Sequence, residues 1–186
     1  VQRIGTDKKK LRLQQDEQLM RTALAEARLA LAEGEFPVGC VLAQDGQIMA
    51  QGRRCNSGSA SRNEIDHAEI VTLRSLLTAR PSLDCSRITV YSTLEPCLMC
   101  YSTLLLSGIR RFVWAYEDVM GGGTALPLEQ LAPLYQNMQV KLAPDVLRRE
   151  SLALFAQFFQ THSYWQDSLL NSHTCAEFQR TDSTNC

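Results

Sequence analysis

The sequence predicts a layered fold, α/β or α+β in class, with helices packed around one sheet. Three observations carry this. Segments with helical periodicity alternate with short apolar strands along the chain. Asp45-Gly46 is a two-residue hairpin signal between two such strands, which makes one strand pair antiparallel. A helical stretch separates the strands beginning at Arg111 and Met138, so those two run parallel and the sheet is mixed.

The first helix is read over 16–33, where Leu19, Met20, Ala23, Leu24, Ala27, Ala30 and Leu31 follow helical spacing. Asp16 is its expected N-cap and Gly34 its stop. Strands 38–44 and 47–51 flank the hairpin turn, and 52–66, rich in Asn, Ser, Gly and Arg, reads as a loop. A second helix begins near His67 and ends before Pro81. Strand 87–94 places Ile88, Val90 and Ser92 on one face and Thr89 and Tyr91 on the other. Pro96 stands where a helix has its first residue, and Gly108 marks that helix's end. Strand 111–116 follows. Gly121-Gly122-Gly123 is a loop without the phosphate-binding pattern. Residues 128–135 read as a short helix, 138–142 as the fifth strand, and 144–160 as a last long helix.

The chain has 186 residues, enough for one domain with a buried core and a tail. Its 45% hydrophobic and 21% charged residues are those of a soluble globular protein. No apolar run approaches the roughly 18 residues of a membrane span, and no secretory signal is visible. Seven cysteines at irregular spacing read as reduced thiols in a cytoplasmic protein rather than as a disulfide framework. The net charge of −1 argues against an extended nucleic-acid surface. That charge is uneven: residues 1–12 hold Arg3, Lys8, Lys9, Lys10 and Arg12 against Asp7, a balance of +4. Residues 1–15 are therefore read as a basic, solvated, disordered arm. A phosphate-touching arm is the alternative.

The residues that carry chemistry are His67-Ala68-Glu69 and Pro96-Cys97-Leu98-Met99-Cys100. His67, Cys97 and Cys100 are three good zinc ligands, and three leave a fourth tetrahedral position open for water. Cys97 and Cys100, at i and i+3, share one helix face at an N-terminus that favours thiolate. Glu69 is not needed as a ligand and can border the same cavity as a proton carrier. A capping box between Asp66 and Glu69 competes with that reading of Glu69. A Cys-x-x-Cys pair alone can also be a redox dithiol.

Together and in this order the two segments resemble the zinc-dependent nucleobase deaminases of the cytidine deaminase-like superfamily. The branch they are most similar to is that of the bacterial tRNA adenosine deaminases. Glu35-Phe36-Pro37-Val38-Gly39 resembles the branch's Glu-Val-Pro-Val-Gly strand entry, and Thr93-Leu94-Glu95-Pro96-Cys97 its Thr-Leu-Glu-Pro-Cys. Asn56 lies before His67 at the distance of the family's base-binding asparagine. The likeness runs over roughly 16–159. It implies a three-layer αβα sandwich with a central five-stranded mixed sheet, one Zn2+ per chain and a homodimer that completes the site across its interface. It divides the chain into the arm at 1–15, a deaminase domain at 16–160 and a tail at 161–186. The roles it implies are ligation by His67, Cys97 and Cys100, proton transfer by Glu69, and a base edge held by the Ala68 backbone and Asn56. Phe36 and Trp114 are candidate pocket walls, although aromatics in strands are more often core. Tyr164 and Trp165 are candidates to cover the pocket.

The departures from that family concern the substrate. Arg53-Arg54-Cys55-Asn56 replaces a simpler Gly-Trp-Asn run, and Asp66 precedes the histidine where the family often has Ala or Arg. Glu117, Met120 and the acidic tail residues Asp167, Glu177 and Asp182 stand where RNA-acting relatives tend to be basic, and Glu117 is expected to repel RNA. The sequence reading therefore places a free base or nucleoside first as substrate and a wobble-position tRNA adenosine second. A non-catalytic domain stapled by zinc comes third.

Overall fold

The computed structural model describes residues 2–58 and 62–183, with the side chains of 7–58 and 62–181. Val1, the side chain of Arg3, residues 59–61 of the long loop, and 184–186 with Cys186 lie outside the described residues.

A five-stranded mixed sheet in the order β2-β1-β3-β4-β5 forms the centre. β1 (Gly39–Gln44) and β2 (Gln47–Arg53) make the antiparallel hairpin. Its turn residues, Asp45 at φ 52° and Gly46 at φ 83°, have the positive φ such a turn requires. β1 pairs antiparallel with β3 (Ile88–Leu94) on its other side. β3, β4 (Arg111–Tyr116) and β5 (Lys141–Ala143) run parallel, which the crossover predicted for β4 and β5.

Side chains alternate across the sheet with period two. Val41, Ala43, Tyr91, Val113 and Ala115 pack under α1 (Gln2–Ala32) with Met20, Ala23, Leu24 and Ala27. Cys40, Leu42, Ile88, Val90, Phe112 and Trp114 face the opposite layer, where α2 (Ala68–Ala79) supplies Leu73 and Leu76 and α3 (Leu98–Leu106) supplies Tyr101, Leu104 and Leu105. Helices on both faces of one sheet make the three layers. Among the described residues no helix is long and apolar enough to cross a membrane.

The first helix differs from expectation. It runs from Gln2 rather than from residue 16, so most of the basic arm is helical. Asp16 is not an N-cap. Its buried carboxylate accepts hydrogen bonds from Tyr91 Oη at 2.8 Å and from Arg111 Nη1 at 3.0 Å and Nη2 at 2.6 Å. With its acid satisfied by the sheet, the helix continues through Lys8, Lys9, Lys10, Leu11 and Arg12, all good helix formers. Removing one partner of a mostly buried ion pair leaves the other uncompensated. Asp16→Ala is therefore expected to cost about 3–5 kcal/mol, read from urea unfolding against wild type. A loss under about 1 kcal/mol would show Arg111 rehydrating freely.

The C-terminal third departs further. Pro133 cannot sit inside a helix over 128–135, so that stretch splits into a 3-10 turn at Leu128–Gln130 and a single turn, α4 (Pro133–Gln136). The fifth strand accordingly starts at Lys141, not 138. The last predicted helix starts at Arg148, not 144, because Asp145 and Leu147 adopt positive φ of 66° and 57°. This is α5 (Arg148–Thr161). The tail carries a further helix, α6 (Leu169–Ser183), which the sequence reading did not anticipate. It docks through buried Leu170 and Thr174, the latter 3.0 Å from Tyr116 Oη.

Glu117 does not project a free charge, contrary to expectation. It accepts from Arg148 Nε at 2.7 Å and pairs with His173 Nε2 at 2.8 Å, while Arg148 Nη2 also reaches Glu177 at 2.9 Å. Burial alone would raise the Glu117 pKa, but these bonds hold it at about 2. The acid that was read as repelling RNA is neutralised inside the fold.

Candidate active site

His67 and Cys97 occupy equivalent places: each is the N-cap of its helix, α2 and α3, with extended backbone and no side-chain capping bond. Both side chains are thereby free to turn toward one point. Pro96 lies one position outside α3 rather than at its first residue. Cys100 follows in the first turn of α3 and is buried. His67 Nδ1 lies 3.5 Å from Cys97 Sγ and 3.4 Å from Cys100 Sγ. Zinc bond lengths at a tetrahedral angle put ligand N and S atoms about 3.6 Å apart. The donor set and its spacing therefore fit Zn2+.

The charges agree. Without a cation the two sulfurs share a proton. The hydrogen bond from Cys100 lowers the Cys97 pKa to about 4, and that same bond, burial and the charge of Glu69 drive Cys100 far up. A divalent cation at the centre would let both ligate as thiolates.

Glu69 sits in the first turn of α2, buried, with Oε2 3.5 Å from Cys100 Sγ. Ser92 Oγ on β3 donates to its other oxygen at 2.9 Å. The capping-box alternative does not hold, because the N-cap is His67 and the Asp66 carboxylate is taken by Asn56, Asn63 and Arg74 at 2.8–2.9 Å. Burial, then the neighbouring Cys97, raises the Glu69 pKa. A buried carboxyl with a raised pKa beside these three ligand atoms suits proton transfer.

These groups open into one pocket. His67, Ala68, Glu69 and Cys97 form its floor, and Phe36, Val38 and Leu94 an apolar wall. Arg54, Glu64, Glu95 and Asp118 add polar groups, and Tyr164, Trp165 and Leu170 come from the C-terminal segment. Of the base-binding expectations, Ala68 and Phe36 line this pocket. Asn56 and Trp114 are not among its lining residues. Trp114 is buried in the sheet core, and the Asn56 amide donates to Asp66.

Sequence reasoning missed Ser92 as a site residue, although a hydroxyl on the core-facing stripe of Ile88 and Val90 was its signal. It also missed how the triple-glycine loop serves the site. Gly123 N donates to Pro96 O at 2.9 Å, and a Cβ on Gly123 would lie 2.7 Å from Leu98 Cα and 2.8 Å from Leu98 N. The loop thus lies directly on the start of the cysteine helix. Gly123→Ala is expected to push that turn away and lower zinc content well below one per chain, read by atomic absorption on purified protein. Full zinc occupancy would show that the loop yields instead.

Tyr164 Oη donates to Glu64 at 3.0 Å, the Arg62 guanidinium lies 4.6 Å over the Tyr164 ring, and Trp165 stacks on Tyr164 at 5.5 Å. Truncation after Thr161 is expected to raise KM at least tenfold by stripping Tyr164, Trp165 and Leu170 from the pocket. Unchanged steady-state kinetics would remove them from the site.

Comparison with known proteins agrees with this geometry. The model of the cytidine and deoxycytidylate deaminase zinc-binding region matches residues 13–116, more than half of the chain. A tRNA-specific adenosine deaminase of Bacillus subtilis is 32% identical over 146 residues, 78% of this chain and 89% of its own. One of Haemophilus influenzae is 33% identical over 154 residues, 83% of this chain and 88% of its own. A solved structure from a study of A-to-I editing by tRNA:A34 deaminases has a TM-score of 0.62 at 27% identity, covering 74% of this chain and 98% of that one. A guanine deaminase structure from Nitrosomonas europaea has the same TM-score at 21% identity, over 76% of this chain and 83% of that one, a likeness of fold alone.

Proposed function

The chain belongs to the cytidine and deoxycytidylate deaminase zinc-binding family, and from that premise we propose that it converts adenosine to inosine at the wobble position of tRNA. What carries the reaction is the convergence of His67, Cys97 and Cys100 with the buried, hydrogen-bonded Glu69 beside them. What supports the substrate is identity of 32–33% to tRNA-specific adenosine deaminases over most of the chain. The pairing of Glu117 with Arg148 and His173 removes an electrostatic objection to RNA. Exposed Leu98 and Leu106 on α3, with Val119 and Met120 nearby in sequence order, support a homodimer through that region.

His67, Cys97 and Cys100 would hold the zinc, which when bound would supply a Lewis acid able to activate water near neutral pH. Glu69 takes the proton of the attacking water as oxygen adds to the amine-bearing ring carbon. It delivers that proton to the ring nitrogen, then takes the proton of the new hydroxyl and passes it to the amine, which leaves as ammonia as the C–N bond breaks and the ring carbonyl forms. Ser92 fixes the orientation of the carboxylate throughout.

A second reading, a free base or nucleoside as substrate, is favoured by Tyr164 and Trp165, which line the pocket beside Phe36 and narrow what can enter. The discriminating experiment measures ammonia release from an A34 anticodon stem-loop, adenosine, adenine, guanine and cytosine at several salt concentrations. Turnover of the stem-loop that falls with salt supports the tRNA reading. Turnover of free bases alone replaces it with the second, and release from none overturns both.

A further inference from the structure

Arg54 extends β2 by one residue, its N–H donating to Val38 O at 2.9 Å. Strand alternation sends Arg53 and Arg54 to opposite faces. Arg53 pairs with Glu26 of α1 and with Glu33 just past its end. Gly52, on the same face as Arg54, abuts Thr72 of α2. Arg54 therefore points to the layer that holds His67 and Glu69, and it lines their pocket.

Its side chain is 3% exposed. Nη2 donates to Asn63 O at 2.8 Å and to Glu64 at 3.1 Å. Nη1 has no partner, and it is the sole buried side-chain N or O atom among the described residues in that state. A guanidinium N–H buried without an acceptor is costly and points to a ligand atom. Asn56, two residues on, has its amide committed to Asp66.

We propose that Arg54 reads the substrate base, its Nη1 donating to a neutral acceptor on the ring, a nitrogen or a carbonyl oxygen. A phosphate is the poorer fit. The Arg54 charge is already matched by Glu64, and Glu69, Glu95 and Asp118 line the same pocket. An anion there would meet four carboxyl groups. This assignment rests on the deaminase reading of the pocket and deepens it, because Arg54 stands where this chain departs from its relatives' Gly-Trp-Asn run.

The test uses the full-length zinc-loaded protein and an A34 anticodon stem-loop, with 3-deaza and 7-deaza adenosine at that position as probes. Arg54→Met is expected to raise KM by about 10- to 100-fold, the usual worth of a charged hydrogen bond, with a smaller change in kcat and zinc content unchanged. Arg53→Met removes the neighbouring guanidinium, which lies on the opposite face of the strand away from the pocket, and it is expected to stay within about threefold of wild type. One deaza substitution should cost wild type about tenfold and Arg54→Met nothing further. Unchanged KM in Arg54→Met, or equal losses in Arg54→Met and Arg53→Met, overturns the assignment and leaves the deaminase reading standing. Should Arg54→Met fail to fold, Arg54→Lys keeps the charge without the fork and is judged on the same KM rise. If wild type turns over free adenine, guanine or cytosine instead, the comparison is made on that base and its deaza analogues. Wild type inactive on all of these removes the deaminase reading and this assignment with it.

Discussion

Glu69→Gln is expected to lower kcat by about 10²- to 10⁴-fold while zinc content stays at one per chain. Glutamine keeps the shape and an oxygen to accept from Ser92, so the α2 terminus is retained and the proton transfer is removed. Glu69 is buried with Oε1 held by Ser92 and Oε2 facing Cys100, and no other described carboxyl group lies in that position between the two helix ends. The measurement pairs ammonia release with atomic absorption. A variant that holds zinc and turns over within threefold of wild type would remove Glu69 as the proton carrier. Zinc loss in the variant would make Glu69 a support of the metal instead.

Removing the metal is expected to have the second large effect. Cys100→Ala, or chelation of wild type, should abolish detectable turnover and lower the unfolding free energy. A ligand present at a thousand times its Kd contributes about 4 kcal/mol, and its removal is read as a downward shift of the thermal midpoint. The reason is local. His67 and Cys97 are N-caps that make no capping bond of their own, so the two helix starts are joined to each other through the ligand cluster. Restored zinc should return both activity and midpoint to chelated wild type and neither to Cys100→Ala. Full activity in metal-free protein would reduce the cluster to a coincidence of buried thiols.

The convergence of His67, Cys97 and Cys100 beside Glu69 was legible because both segments begin helices, and helix starts are marked by local sequence. Strand 111–116 was legible to the residue, since its apolar run is bounded by turns. Other features depended on partners distant in sequence. Asp16 looks like a cap until Tyr91 and Arg111 are brought to it. Helix α6 lacks an apolar stripe because its docked face uses Thr174, His173 and Glu177, satisfied by Tyr116, Glu117 and Arg148. Residues 128–135 had helical composition, but Pro133 divides them. Arg54 was visible as a departure in the loop before His67, yet its burial and its unpaired Nη1 exist only once β2 and α2 are packed. Glu117 was read as a free charge for the same reason: Arg148 and His173, distant in sequence, pair with it in the fold.

Tyr91 and Ser92 are adjacent on β3 and serve opposite layers. Tyr91 fastens the long N-terminal helix through Asp16, and Ser92 steadies the carboxylate that moves the proton. A slip of this strand by one residue would put Tyr91 against Glu69 and Val90 against Asp16 in one direction, and Thr93 against Glu69 and Ser92 against Asp16 in the other. The pairing of β3 with β1 and β4 thus sets the alignment of the chemistry as well as the fit of the core. Neither side of this strand can shift in phase while the other stays in place.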